Sequence, residues 1–210
     1  KCQHPPAQGF KNLKPLRNIQ VVPSITANTI RFKDPIGGNP RRRETDFDIG
    51  IDDLRWGPSS DISLNATINP DFSNIEADIA QSDVNEAFVL FFPERRPFFL
   101  ENRDLFSTQL NFLNTRNISD PRYGAKFSGK VNNHVFGLLA AEDRITNLIL
   151  ANSQTSSLRQ LDQENRATVL RYRYDLKNSS HLGVMFTDRR GEGYSNQLAS
   201  ADTRLRISPA

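Results

Sequence analysis

The sequence predicts an all-β protein of antiparallel strands, and three observations carry that reading. Apolar and polar residues alternate with period two in one segment after another, turn-forming residues separate the segments, and no stretch sustains a helical period. Hydrophobic residues make up 37% of the 210, which is low for a chain with a dry, centred core, and mean hydropathy is −0.56. The 14 Phe and 4 Tyr, spread through patterned segments, argue against disorder. A β-barrel reconciles the two facts, because a barrel strand needs only one apolar residue in two. The predicted class is therefore the antiparallel strands of an outer-membrane-type β-barrel, with a soluble β-sandwich as the alternative.

Residues 1–17 carry Pro, Gly and Lys without a period and read as a linker. From Asn18 to Arg31, Ile19, Val21, Ile25 and Ala27 alternate with polar residues; Pro23 makes this an edge strand or one with a bulge. A turn over Asp34 to Pro40 leads into Arg41, Arg42 and Arg43, read as a solvated loop tip rather than an anion site. Phe47, Ile49 and Ile51, then Ile62, Leu64, Ala66 and Ile68, alternate with polar and acidic residues. Trp56 to Ser60 is the expected turn of the resulting hairpin.

In the second half Tyr123, Ala125 and Phe127 form a strand, and Val135, Gly137, Leu139 and Ala141 follow a turn at Asn132 and Asn133. Ile145 to Ala151 is a weaker strand. Thr168, Leu170, Tyr172 and Tyr174 alternate with Val169, Arg171, Arg173 and Asp175, and Leu182, Val184 and Phe186 continue after another turn. Ser153 to Asn165 and Asp188 to Ala201 read as long loops. Spans of about 8–10 residues suit a tilted membrane strand, and Tyr near strand ends suits an interfacial girdle.

One segment stands apart. Phe91 to Asn102 packs Phe91, Phe92, Phe98 and Phe99 together with Pro93, Pro97, Glu94, Arg95, Arg96 and Glu101 into twelve residues. So aromatic a loop is poorly placed in water, and so charged a loop is poorly placed in lipid. The expectation is an inward-folded plug or lining over 69–102. In it Arg95 or Arg96 pairs with carboxylates such as Asp71, Glu76, Asp78, Glu94 or Glu101, and the phenylalanines serve as anchors.

Three stretches carry a resemblance: Ile62 to Ile68, Asn69 to Asp78, and Phe91 to Asn102. Over roughly Asn18 to Phe186 the chain resembles a functionally uncharacterised bacterial family. Its members carry a module similar to family-nine carbohydrate-binding domains, followed by a large outer-membrane β-barrel. The resemblance implies that 18–210 is the N-terminal portion of such a barrel. It implies location in the bacterial outer membrane, contact with its lipid, and carbohydrate reached through the neighbouring module. The function it implies is transport, or surface handling of a glycan or other polymer. A soluble or periplasmic β-domain that binds carbohydrate, or a component of a glycan-processing enzyme, is the rival.

Other chemistry is weakly signalled. The net charge of +3 is too balanced to argue for nucleic acid. Cys2 is alone, so no intrachain disulfide is possible. His4, His134 and His181 lack metal-ligand spacing, and no phosphate loop, nucleophile elbow or calcium loop occurs, so neither metal nor cofactor is expected. The acids could supply the pair that glycoside hydrolysis needs, but nothing in their spacing sets a separation, and a structural role is the better expectation.

Overall fold

The computed structural model describes residues 18–32, 42–72, 93–110, 112–151 and 153–206. Eight antiparallel strands form one sheet: β1 (Asn18–Phe32), β2 (Arg42–Ser59), β3 (Ile62–Ile68), β4 (Pro121–Val131), β5 (His134–Asp143), β8 (Asn165–Asp175), β9 (His181–Gly191) and β10 (Tyr194–Arg204). Between β5 and β8, β6 (Thr146–Ala151) and β7 (Ser156–Leu161) pair as a hairpin of their own. The order in space follows the order in sequence, an up-and-down meander. Within the described residues β1 and β10 are the two edges, so the sheet is open.

The two ends of the sheet differ. The links Ser60–Asp61, Asn132–Asn133 and Leu176–Ser180 all lie at one end. The other end bears the connection from β3 to β4, the β6–β7 hairpin and the turn at Glu192–Gly193. Asn132 (φ 53°) and Gly193 (φ 70°) take the left-handed conformation that two-residue hairpin turns need.

Cross-strand register assigns the side chains to faces, because directly opposed residues point the same way. On one face Asn65 pairs Lys126, Ser63 pairs Ser128, and Arg55 pairs Asn65. Asn65, Thr67, Lys126, Ser128 and Arg171 on this face are all buried, together with Val135, Leu139, Val169 and Met185. The other face carries Leu64 opposite Phe127, Leu138 opposite Leu170, Leu170 opposite Phe186, and Tyr172 opposite Val184. Leu138, Leu170, Val184 and Phe186 are exposed there, Leu170 by 47%. The sheet thus covers a face that mixes polar, charged and apolar residues and leaves a mainly apolar face exposed.

β5 is apolar on both faces. Val135, Leu139 and Ala141 enter the core, while Phe136 and Leu138 stay exposed. That explains the unbroken apolar run Phe136–Ala141, which alternation alone would not produce.

Some boundaries differ from the sequence reading. β2 continues through Gly57 and Pro58 to Ser59, so the turn is Ser60–Asp61 rather than 56–60; a register irregularity between Trp56 and Ser59 accommodates the proline. The expected loop at 153–165 contains β7, and that at 188–201 contains the end of β9 and most of β10. Both strands are polar, so ladder hydrogen bonding defines them where hydrophobic alternation does not. In β1 the register shifts between Val22 and Pro23, where proline offers no N–H to the ladder.

Candidate functional site

The covered face owes its cover to residues 93–118, which lie between β3 and β4 in sequence. Pro93 to Arg96 run extended into one helical turn, α1 (Pro97–Leu100), where Pro97 stands at the start, the position at which a missing N–H costs nothing. This turn directs Phe98 and Phe99 into the core, 0% and 3% exposed. Asn102 (φ 49°) reverses the chain, and a 3₁₀ turn at Arg103–Phe106 brings in Phe106. A second 3₁₀ turn, Thr115–Asn117, is capped by the Asn114 side chain, which accepts from the Arg116 N–H at 3.2 Å.

Two glycines in the sheet make room for these rings. A Cβ at Gly124 would lie 3.1 Å from the Phe98 ring, and one at Gly137 would lie 2.9 Å from Phe106. The phenylalanines therefore seat against bare backbone of β4 and β5. Ile118, Leu139, Ala141, Val169 and Met185 complete the core, with Phe72 packed at its margin.

At the head of the segment Glu94 and Arg96 form a buried two-pronged pair. Arg96 donates from Nε to Glu94 Oε1 at 2.8 Å and from Nη2 to Oε2 at 2.7 Å. The Arg96 and Arg95 backbone N–H groups also donate to Glu94 Oε1, at 2.9 and 3.0 Å, and Thr115 Oγ1 donates to Oε2 at 2.7 Å. Burial pushes the Glu94 pKa up. Against it stand the hydrogen bond and the charge of Arg96, the Thr115 hydroxyl and the Arg96 amide, which together bring it down to about 2. Arg96 further donates to the carbonyls of Ile118 and of Thr115, the latter at 2.8 Å. Its guanidinium carbon lies 4.2 Å from the Phe99 ring centre and 5.1 Å from that of Phe72, a cation–π arrangement. One arginine thereby ties both ends of the covering segment together.

The sheet holds the segment toward both of its ends. Toward the short-turn end Lys126 Nζ donates to the Phe98 carbonyl and, at 2.6 Å, to that of Glu101. Arg55 pairs with Glu101 and, at 3.1 Å, with Asp53, while Asn102 donates to Ser128 Oγ at 2.7 Å. Toward the other end Asp143 accepts the backbone N–H groups of Ser119 and Asp120 at 3.0 and 2.8 Å. Asp53 Oδ1, Arg55 Nε and Asn65 Nδ2 are buried without a hydrogen-bond partner among the described residues, and Arg55 also borders a cavity of ≈ 390 Å³ beside Glu101 and Ser128.

Of the residues singled out from sequence, Glu94, Arg96, Phe98 and Phe99 come together in this cluster. Glu101 stands apart from it, on Arg55. Asp71 accepts from Thr26 Oγ1, and its N–H donates to Asp52 Oδ1 at 2.8 Å. Arg95 is half-buried, and its backbone serves Glu94. Glu76, Asp78, Phe91 and Phe92 lie outside the described residues. No two of the described candidate acids share a site, and no cluster of His, Cys, Asp or Glu among the described residues could hold a metal ion. The sequence reading missed Arg55, Lys126, Asp143 and Arg189. Lys126 alone carried a signal, a charge within an expected alternating strand, which names a face but no partner; Arg189 fell in the expected loop over 188–201.

Residues 15–152 match the family model described as Domain of unknown function (DUF5916). No curated protein and no solved structure matches the chain.

Proposed function

The chain belongs to the DUF5916 family, and on that premise we propose that its sheet is part of the wall of an outer-membrane β-barrel whose 93–118 segment lines or plugs the interior. The observation that carries this reading is the exposed apolar face, beside a covered face where charged and polar residues are buried among Val135, Leu139, Val169 and Met185. A soluble sheet places its apolar face on the core and its polar face in water. Here Lys126, Arg171, Asn65 and Thr67 lie under cover while Leu138, Leu170, Val184 and Phe186 stand exposed.

Three further features support it. Strands β4, β5, β8, β9 and β10 are 10 or 11 residues long, the length a tilted strand needs to cross the hydrocarbon layer. On the exposed face His134, Phe136, Tyr172 and Tyr174 cluster near the short-turn end, with Phe136 and Tyr172 ring centres 5.4 Å apart, as an interfacial girdle requires. Among the described residues no helix is long and apolar enough to cross a membrane, which leaves crossing by strands untouched.

The wall serves transport, or the surface handling of a glycan or other polymer; the glycan element rests on the resemblance and its neighbouring module. Fractionation tests the reading. The protein is expected in the outer-membrane fraction and in solution only with detergent; a chain that stays monodisperse in plain buffer overturns it and favours a soluble β-domain.

A further inference from the structure

We propose that the long-connection end of the covered face holds a binding site for a neutral saccharide unit. A cavity of ≈ 260 Å³ is lined there by Asn117 of the covering segment, Asn147 of β6, Arg189 of β9, and Tyr194 and Asn196 of β10, with Phe112 also contributing. The covering segment and these three strands meet at it.

The chemistry of the lining selects the ligand. Arg189 donates to three protein oxygens: Nε to Asn165 Oδ1 at 3.0 Å, Nη1 to the Asn147 carbonyl at 2.8 Å, and Nη2 to the Asn117 carbonyl at 3.2 Å. One donor on each of its three nitrogens is thus directed at a neighbouring oxygen. Asp188 also lines the cavity, but its carboxylate is taken by Arg190 Nε and Gln197 Nε2 at 3.0 and 2.9 Å, and the other polar side chains there are uncharged. Asn147 donates Nδ2 to Ser119 Oγ at 2.7 Å, which leaves its Oδ1 as an acceptor. Asn117 Oδ1 takes a long contact of 3.4 Å from Asn114, which leaves Nδ2 as a donor. The side chains of Asn196 and Tyr194 hydrogen-bond to no described residue.

Planar amides with both donor and acceptor capacity beside aromatic surface match a ring that bears hydroxyls on its rim and C–H groups on its faces. The same Arg189 bonds hold β6, β9 and the covering segment in fixed relation, so the site is organised before ligand arrives.

The inference gives a ligand class to the surface-handling reading, yet the cavity does not depend on the membrane, and a soluble β-domain would carry it equally. The test is calorimetric titration of the full chain, in detergent micelles or in buffer according to the fractionation result, with maltohexaose, cellohexaose and xylohexaose. At least one is expected to bind saturably. Asn196→Ala and Tyr194→Ala are each expected to weaken that binding about five- to tenfold, the equivalent of one lost hydrogen bond or contact, with the unfolding midpoint unchanged. No saturable binding to any of the three, or affinities indifferent to both substitutions, overturns the site. Preferential binding of polygalacturonate overturns its neutral character. Because localisation is measured separately, failure of the site and failure of the barrel reading are told apart.

Discussion

Arg96 holds both carboxylate oxygens of Glu94, two residues before it, through Nε and Nη2 at 2.8 and 2.7 Å. The pair is buried against Phe99 and Phe72, and Arg96 also bonds the carbonyls of Thr115 and Ile118. Removing the arginine strands a buried carboxylate and frees two carbonyls. Arg96→Ala is therefore expected to destabilise the fold by about 3–5 kcal/mol. Urea unfolding in the presence of detergent, or band shift on heating in gels, measures it; an unchanged midpoint would place the pair outside the core.

Acid should weaken the same anchor. The Glu94 pKa is lowered from 4.5 to about 2, so its stabilisation is complete above 4.5 and is lost as pH falls from 4.5 through 2. Glu94→Gln is expected to lower stability at neutral pH and to flatten the slope across that window. A variant whose stability still declines as steeply as the parent's would assign the acid sensitivity elsewhere.

Phe106 sits against Gly137 so closely that a Cβ there would meet its ring at 2.9 Å. Gly137→Val is expected to displace the ring and destabilise the chain by about 1–3 kcal/mol, the usual cost of overpacking. Adding Phe106→Ala should recover part of the loss, since the clash disappears with the ring. Simple additivity of the two changes would mean that they act through separate contacts.

Leu170 separates the membrane reading from its rival. It lies in the exposed row Leu138–Leu170–Phe186 and is 47% exposed. If that row faces lipid, Leu170→Arg costs about 2–4 kcal/mol and lowers the yield of folded protein in outer membranes. If it faces water, the substitution changes stability by less than about 0.5 kcal/mol. Folding yield into vesicles, scored beside Arg166→Ala in the same strand, decides between them.

Much of the strand pattern was legible in the sequence because period-two alternation reports faces directly, as in Ile62–Ile68, Tyr123–Phe127 and Thr168–Asp175. The density of Phe98, Phe99, Glu94 and Arg96 likewise marked the covering segment, since such a mixture fits neither water nor lipid. β7 and β10 escaped notice because their polar residues carry no alternation, and their pairing depends on neighbours supplied by the rest of the sheet.

Composition and periodicity by themselves determined that most of this chain forms antiparallel strands with two distinguishable faces, because alternation is a local property of the pleat. Only the tertiary structure decided which face is covered, that Arg96 belongs to Glu94 and Glu101 to Arg55, and that Arg171 reaches over Gly183 to Asp202. Those pairings join residues from two to more than thirty positions apart. A carboxylate and a guanidinium on separate strands become neighbours only through register and through the absence of a side chain between them, and neither is written in local spacing.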